Sequence, residues 1–270
     1  TPNPKPQTPN PKPQTPAMQD YQILGVLGEG AYSTVFKVKR MTDFKELAMK
    51  QIMFTTLPER DQKNALNELR LLGSVQHENV VKMESCFYEG QTLCILMELA
   101  DNGDLSQKIE LAKQTGKRFS EQFIWSIILQ TAAGLRELHK LGIAHRDVKP
   151  ANIFLWKSGR AAIADFNVSK VMKRDPLQTQ TGTPIYASPE VWACKKYGLE
   201  ADLWSLGCLA YEMAALVPPF DGPDLDSVHA RIKLAMTTPL PPGYTTQLQS
   251  ILHRLLRKDP SSRLTASIFS

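Results

Sequence analysis

The sequence has 270 residues, of which 42% are hydrophobic and 22% charged, a composition typical of globular proteins rather than disordered or fibrous ones. Its 32 basic and 27 acidic residues give a formal net charge of +5 without a dense Lys/Arg run, so nucleic acid is not expected as a partner. Its four cysteines are scattered and no apolar run reaches the roughly 18 residues of a membrane span, so we expect a cytoplasmic protein with reduced thiols and no membrane span.

The chain begins with a proline-rich repeat. Residues 1–14 are two copies of TPNPKPQ, a polar sequence that cannot bury enough apolar surface to fold. We therefore predict that residues 1–20 form a disordered linker or tail, and that one folded domain occupies residues 21–270.

Short apolar runs separated by turn residues follow from Tyr21 onward. The segments YQILGVLG, TVFKVKR and ELAMKQIM predict antiparallel strands, and two further strands are predicted over 80–88 and 92–99. A capping box at 56–59 predicts a helix that continues to Leu72. We expect these elements to form a small sheet with one helix.

After residues 101–103 the pattern becomes mainly helical. Ser120 is predicted to cap a helix with an apolar stripe from Ile124 to Leu138. Residues 201–215 are apolar nearly all round, which predicts a helix buried inside a larger unit. The sequence thus predicts an α+β fold with two lobes, a small β-rich lobe with one helix and a larger, mainly helical lobe.

A glycine-rich segment, Gly28-Glu29-Gly30, lies between the first two predicted strands. Glycines allow backbone N–H groups to approach phosphate oxygens closely, although a plain glycine-rich hairpin explains this segment alone equally well. A dinucleotide-binding turn fits less well, because such a turn leads from a strand into a helix.

Lys50 lies on a strand of otherwise apolar residues. A buried ammonium group needs an anionic partner. Glu68 shares a face of the predicted helix with Ala65 and Leu72, so we predict an ion pair between Lys50 and Glu68.

The most informative segment is His145-Arg-Asp147-Val-Lys149-Pro-Ala-Asn152, followed by Asp165-Phe-Asn167. It concentrates carboxylates, an amide and an ammonium group on loops between short apolar runs. Phosphoryl transfer needs this set: Mg²⁺ ligands, a carboxylate that orients the attacking hydroxyl, and a cation near the γ-phosphate. Chance is a poor explanation for these residues in this order.

On these motifs, the chain resembles a protein kinase catalytic domain. Within that superfamily it is most similar to the NIMA-related (never in mitosis A) family, through the segments Ala-Leu-Asn-Glu68, Gly182-Thr-Pro-Ile-Tyr-Ala-Ser-Pro-Glu190 and Glu212-Met-Ala-Ala-Leu. The resemblance implies a bilobal protein-kinase-like fold with an N-lobe of residues 21–97, a hinge of 98–103 and a C-lobe of 104–270. It also implies structural roles for three further residues. Glu190 would form an ion pair with Arg263, and Asp202 would hold the catalytic loop in place.

The resemblance further implies how the chain would bind ATP and catalyse transfer. Asp147 would position the substrate hydroxyl and Lys149 would face the γ-phosphate. Lys50, paired with Glu68, would contact the α- and β-phosphates.

It also implies ligands for Mg²⁺ and for the rest of the nucleotide. Asn152 and Asp165 would hold Mg²⁺, and Met97 would be the gatekeeper residue. The segment 98–100 would bind adenine through its backbone, and Asp104 would contact the ribose. The adenine ring would lie between the apolar side chains of Val35, Ala48 and Phe154. The implied ATP-binding residues are Leu27, Gly28, Glu29, Gly30, Ala31, Tyr32, Ser33, Val35, Ala48, Lys50, Met97, Glu98, Ala100, Asp104 and Phe154.

Lys149 and a substrate platform at Thr183 resemble the serine/threonine branch of the family. The implied reaction is transfer of the γ-phosphoryl group of Mg-ATP to Ser or Thr hydroxyls of protein substrates. Thr179 is expected to be phosphorylated by an activating kinase or by autophosphorylation, its phosphate pairing with Arg146 and Lys170. An ordinary loop threonine is the alternative. Family analogy predicts a cytoplasmic location, at the cytoskeleton, centrosome or cilium, with cell-cycle or ciliary duties.

Two glycines of the family pattern are replaced in this sequence, one by Ser33 and one by Asn167. Asn tolerates left-handed backbone less freely than Gly, so Asn167 predicts a restricted loop after Asp165. Asn167 is also the support for a second interpretation, a nucleotide-binding pseudokinase scaffold. A dinucleotide-dependent enzyme is a third, disfavoured because no βαβ unit follows the glycines.

Overall fold

A computed structural model describes residues 16–30, 33–53, 69–70, 73–164, 185–195 and 197–269. The chain divides into two compact units. One contains most of a five-stranded sheet, and the other contains the α-helices and a two-stranded sheet. The predicted repeat of 1–14 and most of the predicted helix over 56–72 lie outside the described residues, and the domain boundaries remain a prediction.

The larger sheet has the strand order β1-β2-β3-β5-β4. Its strands are β1 (Tyr21–Gly30), β2 (Ser33–Arg40), β3 (Glu46–Met53), β4 (Met83–Glu89) and β5 (Thr92–Glu98). The pairs β1–β2, β2–β3 and β4–β5 are antiparallel, as the sequence predicts.

One face of this sheet is buried against its own core. Leu47 and Met49 on β3 are fully buried, whereas Ala48 between them and Lys50 after them are partly exposed. This alternation follows from strand geometry, since successive side chains point to opposite faces. Tyr21 and Phe87 stack at 5.8 Å between ring centroids within the same core.

In the second unit six α-helices are described over their whole length, and residues 69–70 and 73–74 are helical as well. The six are α1 (Leu105–Thr115), α2 (Glu121–Lys140), α3 (Pro189–Trp192), α4 (Glu200–Ala215), α5 (Leu225–Leu234) and α6 (Thr246–Leu255). Strands β6 (Ile153–Leu155) and β7 (Ala161–Ile163) form the small antiparallel sheet. Single 3₁₀ turns occur at Met18–Asp20, Pro150–Asn152, Pro260–Ser262 and Ala266–Phe269.

Helix α2 begins where the sequence predicts. The Ser120 hydroxyl accepts a hydrogen bond from the backbone N–H of Phe123 at 3.3 Å, which satisfies one of the free donors of the first turn. The predicted stripe from Ile124 to Leu138 is buried. Within the described residues, none of the helices has both the length and the apolar character needed to cross a lipid bilayer.

Helix α4 lies in the middle of this unit and is buried along nearly its whole length. It nevertheless carries two buried carboxylates, Asp202 and Glu212, which are 1% and 6% exposed. Buried charges are costly unless they are paired and hydrogen-bonded. Asp202 and Glu212 are therefore expected to have hydrogen-bond or ion-pair partners within the core.

The expected pair between Glu190 and Arg263 is present. The two guanidinium nitrogens of Arg263 lie 2.5 and 2.7 Å from the two carboxylate oxygens of Glu190. This bidentate contact links the first turn of α3 to the segment before the last 3₁₀ turn.

Candidate active site

The residues predicted for catalysis and nucleotide binding divide between the two units. Several of them have no described placement. Glu68, Ala31, Tyr32, Asp165, Thr179 and Thr183, together with Asn167 and Lys170, lie outside the described residues.

In the sheet unit, three predicted nucleotide-binding residues share one face. Val35 on β2 lies directly opposite Lys50 on β3, and Ala48 is two residues from Lys50 on the same strand. Directly opposed residues and residues two apart point to the same side of a sheet. Val35, Ala48 and Lys50 are all partly buried, on the face opposite the core residues Leu47 and Met49.

The glycine-rich segment joins two strands of this sheet. Gly28 pairs with Val35 and Gly30 pairs with Ser33, so the segment forms the end of the β1–β2 hairpin. Leu27 beside it is 51% exposed. Because the segment leads from strand to strand, it lacks the strand-to-helix geometry of a dinucleotide-binding turn.

In the helical unit, Asp147, Lys149 and Asn152 come together. The Lys149 ammonium lies 3.0 Å from Oδ2 of Asp147. The Asn152 side-chain amide donates to the same Oδ2 at 3.0 Å and to the Asp147 carbonyl oxygen at 2.7 Å. The Asp147 carboxylate is thus held by a cation and an amide while 18% of the side chain stays exposed.

Asp202 on α4 fixes the backbone that precedes Asp147. Its Oδ2 accepts from the backbone N–H of His145, and its Oδ1 accepts from that of Arg146, both at 2.8 Å. Arg146 has φ 66°, a left-handed conformation that is costly for a residue with a side chain. The two hydrogen bonds explain how this backbone conformation is held, and the expected role of Asp202 is confirmed.

His145 connects this loop to the segment that leads to Asp165. Its Nδ1 accepts from the backbone N–H of Asp147 at 3.3 Å, and its Nε2 lies 3.0 Å from the carbonyl oxygen of Ala164. His145 is 2% exposed, so it fixes the spacing of these two backbone segments from inside the core.

The predicted adenine-binding segment follows β5. The Glu98 carboxylate accepts two hydrogen bonds from Arg160, of 2.6 and 2.7 Å, so both of its oxygens already have a partner within the protein. The backbone N–H and C=O of Ala100 have no hydrogen-bond partner among the described residues. These groups fit the prediction that the segment would bind adenine through its backbone. Met97, the predicted gatekeeper, pairs with Met83 on β4.

Two further predicted nucleotide contacts are neighbours. Asp104, predicted near the ribose, forms a β-bridge with Phe154, predicted under the adenine ring. The Asp104 carboxylate also accepts from the backbone N–H of Gln107 at 3.0 Å and from the Ser106 hydroxyl, capping α1.

The side-chain oxygen of Asn152 is suitable as a magnesium ligand. Its amide nitrogen must face the two oxygens of Asp147, because both are acceptors. Its Oδ1 therefore points away from Asp147, and this oxygen accepts no hydrogen bond from the described residues. Amide and carboxylate oxygens are the ligands that Mg²⁺ prefers.

The structure also shows polar contacts that the sequence did not predict. The contact of Arg160 is one, because its partner Glu98 lies 62 positions away and nothing in the sequence links them. A second group is Lys113, Tyr186 and Glu212. The detectable signal there was Glu212 itself, one of the few charged residues in a helix that is apolar nearly all round.

A sequence model described as the protein kinase domain matches residues 21–269. The chain belongs to the protein kinase family. The fold of this kinase domain, α+β with two lobes, is the one that the sequence predicts.

Curated relatives carry the resemblance further. The chain is 35% identical over 252 residues to the "Probable serine/threonine-protein kinase nek2" of Dictyostelium discoideum, covering 91% of this chain and 60% of that protein. It is 35% identical to human "Serine/threonine-protein kinase Nek5", covering 91% and 35%, and 31% identical to mouse "Serine/threonine-protein kinase Nek2", covering 88% and 56%. The chain thus spans between about a third and three fifths of the length of these relatives, and its resemblance to NIMA-related kinases is confirmed.

Proposed function

We propose that this kinase domain transfers the γ-phosphoryl group of ATP to serine and threonine hydroxyls of proteins. The observation that carries the proposal is the arrangement around Asp147. Its carboxylate is oriented by Lys149 and Asn152 on a loop whose backbone is anchored to α4. A fixed, partly exposed carboxylate is what is needed to orient an attacking hydroxyl.

The neighbouring residues have complementary tasks in this proposal. Lys149, 38% exposed, would place positive charge near the transferred phosphoryl group. Lys50 would contact the remaining phosphates from the face that it shares with Val35 and Ala48. Bound Mg²⁺ would neutralise charge on the phosphates, held by Asn152 and by Asp165, which lies outside the described residues.

A catalytically silent scaffold is the competing proposal. It rests on Asn167, also outside the described residues. The groups with a direct chemical task in the catalytic loop, Asp147, Lys149 and Asn152, are present and in mutual contact. This arrangement favours an active enzyme.

The acceptor residue tests the proposed function. The purified chain is incubated with magnesium and γ-labelled ATP and with peptides that contain Ser, Thr or Tyr as the sole hydroxyl. We expect label on Ser and Thr peptides and little on Tyr peptides. Tight nucleotide binding without transfer to any peptide, from enzyme shown to be phosphorylated on Thr179, would instead support the scaffold.

We also propose that phosphorylation of Thr179 activates the domain, through an activating kinase or autophosphorylation. The support is Arg146, which is exposed and lies with its guanidinium 5.6 Å from the ring centroid of Tyr197. A phosphate paired with this guanidinium would form charge-assisted hydrogen bonds beside Asp147. Full activity of Thr179→Ala in phosphate-free enzyme would contradict this proposal.

A place at the cytoskeleton, centrosome or cilium, with a cell-cycle or ciliary role, is proposed from the resemblance to NIMA-related kinases. Imaging of the tagged chain in a ciliated cell tests it. Diffuse signal throughout the cell cycle would count against it.

A further inference from the structure

A pocket of about 620 Å³ lies within the helical unit, beside the catalytic loop. It is lined by α1, by Lys149 and Pro150 of the loop, and by Tyr186 and Glu212. Because Lys149 contacts Asp147, the end of this pocket at Lys149 lies beside the proposed catalytic carboxylate. A protein substrate whose hydroxyl reaches Asp147 would therefore bring a neighbouring side chain within reach of this pocket.

Glu212 is the buried acidic group of this pocket, and both of its oxygens are already occupied. The ammonium of Lys113, in the last turn of α1, lies 3.2 Å from Oε1. The Tyr186 hydroxyl donates a short hydrogen bond to Oε2. The Glu212 side chain is 8% exposed, so water replaces these partners poorly.

Tyr186 is a permanent donor in this arrangement. Burial, together with the negative charge of Glu212, raises its pKa far above that of an exposed phenol. The segment that carries it is fixed as well, because the Ser205 hydroxyl donates to the Tyr186 carbonyl oxygen at 2.8 Å. Tyr186 therefore satisfies one oxygen of Glu212, and the charge of Glu212 is neutralised by Lys113.

Lys113 differs from Tyr186 in how readily it could be replaced. Its side chain is 36% exposed, and it reaches Glu212 from the rim of the pocket. A basic substrate side chain seeking Glu212 would have to displace this ammonium, and would also meet the positive charge of Lys149. The remaining acid of the lining, Glu110, is exposed and accepts from Gln114 at 3.1 Å.

We propose that Lys113 is a specificity-determining residue, which by neutralising Glu212 makes this pocket reject Lys and Arg side chains of the substrate and accept uncharged ones. The inference rests on the proposed kinase activity. Specificity here comes from a repulsive element as much as from an attractive one.

The test compares peptide substrates in wild-type chain and in Lys113→Met, which keeps an apolar side chain of similar reach and removes the charge. Arg is placed at each position near the acceptor hydroxyl in turn, and kcat/KM is measured relative to the Ala peptide. At the position that enters the pocket, wild type should disfavour Arg. Lys113→Met should raise the Arg/Ala ratio there by roughly tenfold.

Two further variants separate charge from general damage. Lys117→Met removes an exposed lysine that does not line the pocket, and should leave every ratio as in wild type. Adding Glu212→Gln to Lys113→Met should cancel the gain, because the attracting carboxylate is then gone. Thermal melting of each variant identifies any ratio that changes only through unfolding.

The outcomes are distinct. Transfer with Arg/Ala ratios that Lys113→Met leaves unchanged, or a wild-type preference for Arg at the affected position, would overturn this inference and leave the kinase activity intact. Absence of transfer to every peptide would contradict the kinase activity and this inference together.

Discussion

At the residue scale, Arg263 shows how a buried charge is made stable in this domain. Its side chain is fully buried, and besides Glu190 it donates to the carbonyl oxygens of Arg257 at 2.7 Å and Lys258 at 3.0 Å. Burial alone would raise the pKa of Glu190, but the hydrogen bonds and charge of Arg263 outweigh it and lower that pKa. The pair is therefore ionised and fully bonded at neutral pH.

This ion pair predicts a pH-dependent contribution to stability. A carboxylate whose pKa is lowered on folding stabilises the native state above its unfolded value, near 4.5, and loses this contribution as pH falls further. We expect Glu190→Gln to lower the free energy of unfolding by about 3 kcal/mol at pH 7, because Arg263 is left buried without its counterion. The difference from wild type should shrink steadily below pH 4.5.

The matched control is an exposed ion pair on the same unit. Glu137 binds Lys140, whose side chain is 61% exposed, at 2.8 Å. Glu137→Gln should change the free energy of unfolding by less than about 1 kcal/mol. Denaturant titrations of both variants across acidic and neutral pH make the comparison, and equal effects of the two substitutions would show that burial of the Glu190 pair is unimportant.

At the element scale, a glycine determines how closely α2 approaches its neighbour. A Cβ atom on Gly134 would overlap the backbone carbonyl oxygen of Asn79. That same carbonyl accepts from the N–H of Ile163 on β7 at 3.0 Å, and the Asn79 side chain donates to Ala161 at 2.8 Å. The absence of a side chain at Gly134 thus lets one helix, one loop and one strand meet at a single point.

Gly134→Ala should therefore destabilise the protein, although alanine has the higher helix propensity. In an exposed helix this change stabilises by about 1 kcal/mol, but here we expect a loss of about 2 kcal/mol, because Asn79 cannot move without breaking its bonds to β7. Chemical denaturation measures it. Ala133→Gly, at the adjacent position, reports the ordinary propensity cost; stabilisation by Gly134→Ala would mean that the close approach is not tight.

The elements themselves were largely predictable from local pattern. The Ser120 cap and the buried stripe of α2 follow from the spacing of residues within one helix, and the burial of α4 follows from its apolar surface. Contacts between distant residues were not predictable from spacing. The residues around Arg160 in the sequence are typical of an exposed loop. Arg160 nevertheless binds Glu98, and its guanidinium lies 4.1 Å from the ring centroid of Trp156.

At the scale of the whole molecule, the part of the candidate site on the catalytic loop was predictable because its residues lie within six positions of one another, 147 to 152. Asp147, Lys149 and Asn152 are brought together by a single loop and its 3₁₀ turn. The group formed by Lys113, Tyr186 and Glu212 joins two helices and a loop, so it required the fold to become visible. Local motifs indicated the chemistry, whereas the features proposed to select the substrate emerged from tertiary packing.

The most direct test of the central claim is the rate of phosphoryl transfer by Asp147→Asn. The amide keeps the shape of the side chain and removes the carboxylate charge. Asp226→Asn, an exposed acid on α5, is the control. With saturating Mg-ATP and a peptide phosphorylated by the wild type, we predict that Asp147→Asn lowers kcat at least a hundredfold, roughly the size of a lost general base, while nucleotide affinity changes little. Transfer by Asp147→Asn at the rate of the control would contradict the account.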